Sequence, residues 1–263
     1  MIILKLGGSV ITRKNASEPT LDTENLTRIC REISESSYEK LIVVHGAGSY
    51  GHLYAKEYEI GAEINSKKEL ERKKQGFSKT QNSVKDLNAM VCEHLQKQGI
   101  ATVSIQPSSF IKTENKRIIK ADLDLIKEYL ELGFVPVIYG DVVLDANEKI
   151  KMAVVSGDQL IKYLAENLKP ELVVLGSDVD GVYNQDPKDN PDAELIKVVT
   201  SRKDLMSLDS TKTVDVTGGM GGKIDELLEI AKNGIESEII NANTNNNIKR
   251  ALNGEKEIGT LIK

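Results

Sequence analysis

Residues 2–9 read IILKLGGS, an apolar run that contains one lysine and ends in two glycines and a serine. Such a run predicts a short buried strand over Ile2–Leu6. The pattern recurs at Leu41–His45, which is also followed by glycine, and between the two runs a polar start at Asp22 precedes apolar residues at helical spacing. Short strands that alternate with amphipathic helices predict a largely parallel sheet with helices on both faces.

This alternation continues to the C-terminus. Further strands are predicted at residues 101–105, 134–139, 172–175, 238–241 and 260–262, and a hairpin over residues 142–154. Further helices are predicted over residues 84–95, after Asp122, over residues 160–168, from about Gly221 and after Asn246. Residues 65–79, rich in Lys and Glu, are expected to form an exposed loop, a solvated helix or a mobile cover over a site. Because no repeat or linker interrupts the pattern, we expect a single domain over residues 1–263.

The composition excludes several classes of protein. Of the 263 residues, 40% are hydrophobic and 29% charged, which predicts an ordered protein, and the low aromatic content of 4% predicts a core of Ile, Val and Leu. No run of about 18 apolar residues predicts a membrane span, and no basic, cleavable leader is apparent. The net charge of −5 does not favour nucleic-acid binding. We expect Cys30 and Cys92 to be reduced core residues of a cytoplasmic protein.

The lysine in the first strand is a candidate anion ligand. An ammonium group inside a buried strand is costly unless it has an anionic partner, and Gly7 and Gly8 would let their amides approach that partner closely. The alternative is that Lys5 lies on an edge strand and reaches solvent. Lys14, a short distance further on, is much weaker evidence on its own.

A second glycine cluster, GAGSYGH at residues 46–52, follows the second strand. It contains the spacing G-x-G-x-x-G, but the acidic residue that a dinucleotide fold requires about 20 residues later would fall near residues 67–71, which lack strand character. We therefore expect a loop of free amides at the start of a helix, suited to a phosphate or carboxylate. His52 would point into this loop and donate a hydrogen bond to the anion.

The third cluster, GGMGGK at residues 218–223, resembles a P-loop only superficially. That motif would need glycine at position 217 and serine or threonine at position 224, where the sequence has Thr217 and Ile224. Lys223 nevertheless lies at a glycine-rich helix start, which makes it a candidate contact for ATP phosphates.

Two acidic signals lie between these clusters. Asp158, in SGDQ at residues 156–159, could cap a helix or could anchor the ammonium groups of Lys5 and Lys223. Asp178 and Asp180, in GSDVDGVY at residues 176–183, could simply form a turn. Because they follow a predicted strand at its carboxyl end, where nucleotides bind in open α/β sheets, a ligand site is favoured.

Taken in order, KLGGS, GDQL, SDVDGVY and GGMGGK resemble the amino acid kinase superfamily over essentially the whole chain. Within it, GAGSYGH together with Lys14 resembles the isopentenyl phosphate kinases. The resemblance implies a three-layer αβα sandwich on a central, mainly parallel sheet, with the acceptor over the N-terminal half and ATP over the C-terminal half. It also implies a homodimer and ATP-dependent phosphorylation of isopentenyl phosphate to the diphosphate, a step of isoprenoid biosynthesis.

The same resemblance implies roles for individual residues. Lys5 and Lys223 would neutralise the transferred phosphoryl group, with Asp158 orienting them, and Lys14 would stabilise the transition state. The acceptor would be held by Gly8, Gly46, Gly51, His52, Ser156 and Gly157. The nucleotide would be surrounded by Lys5, Gly7, Gly8, Ser9, Ala47, Ser177, Asp178, Asp180, Tyr183, Gly218, Gly221 and Lys223. The sequence departs from many relatives at Ala47, where they have glycine. Mg²⁺ would be carried by the phosphates of ATP rather than by a protein metal site.

The expected chemistry needs no general base, because a phosphate monoester is already an anionic nucleophile near neutral pH. The sequence is also compatible with two other kinds of protein. One is a kinase of another phosphate or phosphonate such as fosfomycin, and the other is a non-catalytic nucleotide-binding storage or sensor protein. An apolar pocket beside the acceptor would favour the isoprenoid. Phe77, Val84, Met90 and Val91 could line such a pocket or could be plain core residues.

Overall fold

The structure, a computed structural model, describes residues 1–13, 18–185, 187, 190, 192–206 and 220–263. The strands are β1 (Ile2–Leu6), β2 (Leu41–His45), β3 (Thr102–Ile105), β4 (Ile111–Glu114), β5 (Arg117–Ala121), β6 (Val135–Tyr139), β7 (Asp141–Asp145), β8 (Met152–Val155), β9 (Leu172–Ser177), β10 (Val182–Tyr183), β11 (Leu195–Ile196), β12 (Val198–Val199), β13 (Glu236–Asn241) and β14 (Thr260–Ile262). The helices are α1 (Gly8–Ile11), α2 (Thr23–Ser34), α3 (Gly48–Glu57), α4 (Lys67–Lys97), α5 (Asp124–Glu131), α6 (Gly157–Leu168), α7 (Lys203–Met206), α8 (Met220–Ala231) and α9 (Asn247–Leu252).

The central sheet has eight strands in the order β12-β14-β13-β9-β1-β2-β6-β3. All neighbours are parallel except β13 and β14. The first strand of the chain therefore lies in the interior of the sheet, paired with β2 on one side and β9 on the other. Parallel sheets need cover on both faces, which explains why these strands are almost uniformly apolar.

Alternate side chains of each strand pack on opposite faces of the sheet. Ile3 belongs to a core formed with α5, α6 and α8, whereas Leu4 and Leu6 belong to a core formed with α1, α2, α4 and α9. Both cores consist mainly of Ile, Val and Leu. The structure confirms the three-layer αβα sandwich that was expected.

Cys30 and Cys92 both lie in the core on the α2 and α4 side and are free thiols. Burial raises the pKa of the Cys30 thiol to about 12. A thiol that stays protonated at neutral pH is a poor nucleophile. The two cysteines are therefore structural, as predicted.

The charged segment over residues 65–79 is helical from Lys67 onward. The expectation of an exposed loop was therefore wrong, and the alternative expectation of a solvated helix is correct. Ser66 caps α4 by accepting a hydrogen bond from the Glu69 amide, and the Glu69 carboxylate accepts from the Asn65 amide. This reciprocal arrangement stabilises a helix start. The helix runs on for 31 residues to Lys97. Among the described helices, this one included, none combines the length and apolar character that crossing a membrane requires.

A second, four-stranded sheet with the order β5-β4-β7-β8 packs beside the central one. The predicted hairpin over residues 142–154 is its β7–β8 pair, and Val142 pairs with Val154. Strands β4 and β5 were not predicted from the sequence. They are short, and β5 is mostly exposed or half-buried, so they carry little apolar pattern.

Candidate active site

A cavity of about 350 Å³ opens where β1, β2 and β9 end, at the carboxyl edge of the central sheet. Much of the predicted site lines it. The predicted site residues in its lining are Lys5, Gly7, Gly8, Ser9, Gly46, Ala47, Gly51, His52, Ser156, Gly157, Asp158, Ser177, Asp178 and Lys223. Residues that are more than 200 positions apart in the chain thus surround one space.

Lys5 is buried, with 4% of its surface exposed, and its ammonium Nζ lies 2.6 Å from Asp158 Oδ1. Because β1 is an interior strand, the alternative of an edge-strand lysine that reaches solvent is wrong. The alternative role for Asp158 as a helix cap is also wrong, since Ser156 Oγ accepts from the Gln159 amide and caps α6. The carboxylate of Asp158 therefore binds the ammonium of Lys5, and both residues line the cavity.

The two glycine turns that end β1 and β2 touch each other. A Cβ on Gly8 would lie 2.5 Å from the amide nitrogen of Gly48, and a Cβ on Gly46 would lie 2.7 Å from the amide nitrogen of Gly8. Contacts this short with backbone atoms cannot be relieved by moving a side chain. Glycine is therefore required at both positions for the turns to approach, beyond any direct contact with a phosphate.

His52 and Gly51 lie inside α3, so the prediction that both belong to an open glycine loop was wrong. The loop ends at Ala47, and the helix begins at Gly48. A Cβ on Gly51 would lie 2.4 Å from the Ala47 Cβ, so the close approach of Ala47 requires this glycine, and 3.1 Å from Val84 Cγ1, so packing against α4 also favours it. The exposed His52 reaches the cavity from the helix surface rather than from a loop.

The nucleotide-side residues divide into two groups. Ser177 and Asp178, at the end of β9, line the cavity. Asp180 and Tyr183 lie outside this lining and are bonded to each other, with Tyr183 OH donating to Asp180 Oδ2 at 2.9 Å. Burial, reinforced by the Asp180 carboxylate, raises the pKa of Tyr183. Asn241 Nδ2 donates to the other carboxylate oxygen, so Asp180 ties this turn to β13.

Gly221, Lys14 and Gly218 complete the set of predicted site residues. Gly221 lies in the first turn of α8 and does not line the cavity. Lys14 and Gly218 lie outside the residues that the structure describes. Their proposed roles stay predictions.

One wall of the cavity, which the β7–β8 hairpin supplies, was not predicted from the sequence. Asp141, Val142, Val154 and Val155 line it, and they face the site only because the small sheet packs beside the central one. Asp141 is 1% exposed; burial raises its pKa, an effect that the hydrogen bonds from Ser108 and from its own neighbour's amide oppose. The only sequence signal was a carboxylate that directly precedes an apolar strand.

The four candidate pocket residues of α4 have different environments, and Val91 lies in the core on the α2 and α4 side. Val84 is fully buried and lines the cavity. Met90 packs against the core on the α2 and α4 side, and the half-buried Phe77 is outside the cavity lining. Thr80 of the same helix lines the cavity and was not predicted. The pocket hypothesis therefore applies to Val84, whereas Met90 is a core residue.

The carboxylates around the cavity bear on how a metal ion could be held there. Within the described part of the chain, no three His, Cys, Asp or Glu side chains lie close enough together to hold one. The carboxylate of Asp158 is engaged by Lys5. Since Mg²⁺ favours several oxygen ligands, any Mg²⁺ at this site would take most of them from a nucleotide and from water.

Comparison with known proteins agrees with this arrangement. The model of the amino acid kinase family matches residues 1–241. The isopentenyl phosphate kinase of Methanothermobacter thermautotrophicus is 56% identical, over 100% of this chain and 98% of that protein, and that of Methanocaldococcus jannaschii is 39% identical, again over 100% and 98%. A crystal structure of an isopentenyl phosphate kinase superimposes with a TM-score of 0.90 at 52% identity, with both chains covered completely. This chain belongs to the amino acid kinase family and, within it, to the isopentenyl phosphate kinases.

Proposed function

We propose that this protein transfers the γ-phosphoryl group of ATP to isopentenyl phosphate, giving isopentenyl diphosphate and ADP. The observation that carries the proposal is that Lys5, Lys223 and His52 line the same cavity. Two lysines near the transferred group and a hydrogen-bond donor near the acceptor suit a reaction between two phosphates. A nucleotide-binding storage or sensor protein would need the nucleotide site but not the two lysines.

The main barrier is the repulsion between two polyanions, because the acceptor phosphate is already nucleophilic. An acceptor oxygen attacks the γ-phosphorus of ATP. The bond between the γ-phosphorus and the β–γ bridging oxygen breaks, and ADP leaves with the electron pair of that bond. We infer that Lys5 and Lys223 stabilise the charge on the transferred group and that Asp158 orients Lys5, consistent with their 2.6 Å contact. Lys14 is proposed to stabilise the same transition state.

The apolar part of the cavity supports an isoprenoid acceptor over fosfomycin. Val84 from α4 and Val142 and Val154 from the β7–β8 hairpin lie around the same space as His52. Burying a five-carbon group against such side chains is worth about 0.8 kcal/mol per methylene. Fosfomycin, a smaller and more polar molecule, would gain less from these walls.

Several finer features belong to the same proposal. The acceptor would lie over the N-terminal half of residues 1–263 and ATP over the C-terminal half. We further propose that Mg²⁺ enters with ATP, that the active protein is a homodimer, and that it works in the cytoplasm. The buried, free thiols of Cys30 and Cys92 are compatible with a reducing compartment.

The direct test measures ADP release with isopentenyl phosphate, dimethylallyl phosphate, fosfomycin, uridylate and acetylglutamate as acceptors. We expect kcat/KM to be highest for isopentenyl phosphate, followed by its isomer dimethylallyl phosphate. A clear preference for fosfomycin would support the phosphonate kinase instead. ATP binding without turnover of any acceptor would support the storage or sensor function.

Replacing His52 by alanine tests whether it recognises the acceptor. A lost hydrogen bond to a charged group costs about 1.5–3 kcal/mol, so we expect kcat/KM for isopentenyl phosphate to fall about tenfold to a hundredfold. His52→Gln should retain most activity, because glutamine keeps a donor of similar reach. The KM for ATP should hardly change in either variant.

The matched control is His94→Ala, since His94 lies in α4 outside the cavity lining and is bonded to the Met90 carbonyl. It should leave acceptor kinetics unchanged. Equal loss of activity in His52→Ala and His52→Gln would point to a general base and contradict the assignment.

Replacing Val84 by alanine should widen the apolar end of the cavity. Two methyl-sized groups are removed, each worth about 0.8 kcal/mol on burial, so we expect kcat/KM for longer prenyl phosphates to rise by about tenfold relative to isopentenyl phosphate. Val91→Ala is the control, because Val91 is equally buried on α4 but packs in the core. Both variants should melt at lower temperature. An unchanged chain-length profile in Val84→Ala would make Val84 a core residue only.

A further inference from the structure

The side chain of Thr12 joins the turn that follows β1 to the helix that follows β2. Its Oγ1 donates to the carbonyl oxygen of Gly8 at 2.7 Å and accepts from the amide of Ser49 at 3.1 Å. Thr12 is 2% exposed, so neither bond competes freely with water. A hydroxyl can donate one hydrogen bond and accept others, and here one buried group uses both capacities to hold two segments together.

The hydroxyl lies directly against the glycine backbone at the point where the turns meet. A Cβ on Gly48 would lie 2.2 Å from Thr12 Oγ1, and Gly48 has a φ of +51°, which an L side chain rarely adopts. On the other side of this contact, Gly8 already touches the backbone of Gly48. The Thr12 hydroxyl is thus packed against the glycine backbone where the two turns meet.

The two joined segments carry different groups of the proposed machinery. Gly8 follows the strand that carries Lys5, here called the Lys5 side, whereas α3 carries His52, here called the His52 side, and these three residues line the cavity. Thr12 does not line it. Any change in the Thr12 bonds would therefore alter the separation between the two sides without removing a substrate contact.

The geometry points to Thr12 as a positioning residue that sets the distance between the Lys5 side and the His52 side, an inference that rests on the proposed phosphoryl transfer. The reacting atoms must lie about 3–3.5 Å apart, and a misplacement of about 1 Å can cost 10²-fold in rate. In the proposed mechanism Lys5 acts on the transferred group in the transition state, whereas His52 holds the acceptor before transfer. Thr12 should therefore matter for turnover much more than for either affinity.

The test compares Thr12→Val, which keeps the shape but removes the hydroxyl, with Thr12→Ser, which keeps it. We expect Thr12→Val to lower kcat about tenfold to a hundredfold while the KM values for ATP and isopentenyl phosphate stay within threefold. Thr12→Ser should retain most of the turnover. Thr27→Val is the matched control, because Thr27 Oγ1 also donates to a carbonyl four residues earlier at 2.7 Å, outside the cavity lining.

A second readout separates positioning from simple loss of stability. A bisubstrate compound, with adenosine and the isopentenyl group joined through a polyphosphate, needs both sides at the correct separation. We expect its Kd to rise at least tenfold in Thr12→Val, while the Kd values of ADP and of isopentenyl phosphate change less than threefold. A purely structural role would lower the melting temperature without this split.

Unchanged kcat and unchanged bisubstrate Kd in Thr12→Val would overturn the inference. If Thr12→Val does not fold, Thr12→Cys is measured in the same way, and it must show the same split. Failure of the wild-type protein to phosphorylate isopentenyl phosphate would contradict the proposed function. Normal wild-type turnover together with an unaffected Thr12→Val would contradict only the role of Thr12.

Discussion

Replacing Lys5 by methionine is expected to lower kcat about 10²–10³-fold, the usual cost of losing a preorganised electrostatic donor at a transition state. Methionine fills a similar volume but carries no charge, so the carboxylate of Asp158 would lose the ammonium that lies 2.6 Å from it. Because the contribution arises as charge develops on the transferred group, the KM for isopentenyl phosphate should change much less than kcat. Lys223→Met should have an effect of similar size.

Lys73→Met supplies the matched control for this experiment. Lys73 is also a buried lysine, but its ammonium donates to the carbonyl oxygens of Ala62 and Glu63 and it does not line the cavity. Its loss should lower the melting temperature and leave kcat within a few-fold of wild type. Steady-state kinetics and thermal melts distinguish the two cases. Wild-type turnover in Lys5→Met or in Lys223→Met would remove that lysine from the mechanism.

Gly8→Ala is expected to lower kcat/KM by at least about 10²-fold, because the two glycine turns would be forced apart by roughly the 1 Å that such a loss requires. The new Cβ would lie 2.5 Å from the Gly48 nitrogen and 2.6 Å from its Cα, both of them backbone atoms. Overpacking of this kind also destabilises proteins by about 1–3 kcal/mol. Kinetics at a temperature well below the melting transition measure the catalytic loss separately.

Gly222→Ala is the stability control, since a Cβ there meets no atom of the described residues within 4 Å and Gly222 lies inside α8. Alanine is favoured over glycine within a helix by about 0.8–1.0 kcal/mol, so its melting temperature should not fall. A Gly8→Ala protein that retained wild-type kcat/KM would show that the separation of the turns is not critical.

Much of the fold follows from local sequence. The bounds of β1 and β2 were predicted correctly, because a mainly apolar run followed by glycine indicates both the strand and its end. The start of α2 was also predicted, and there Asp22 accepts a hydrogen bond from the Asn25 amide and caps the helix. Strands β4 and β5 were missed because they are short and interspersed with charged residues, and because β4, which pairs with β5, is tied to the sheet through β7, about 30 residues away.

The candidate site was only partly predictable, and His52 and Asp141 show why. The presence of His52 after a glycine cluster indicated an anion contact, but whether residues 48–52 form a loop or a helix depends on packing. Gly51 fits against Val84 of α4, a contact between residues 33 positions apart. Asp141 carried no strong sequence signal, because its burial arises from the packing of the small sheet beside the central one.

The sequence by itself determined the layered parallel architecture and the need of Lys5 for an anionic partner, because an apolar strand and a buried ammonium have the same requirements wherever they occur. Only the tertiary structure decided that this partner is Asp158, that α3 carries His52 to the same cavity, and that the Thr12 hydroxyl joins the two sides. These relations depend on the order of strands in the sheet. That order results from long-range pairing and packing, which no short stretch of sequence specifies.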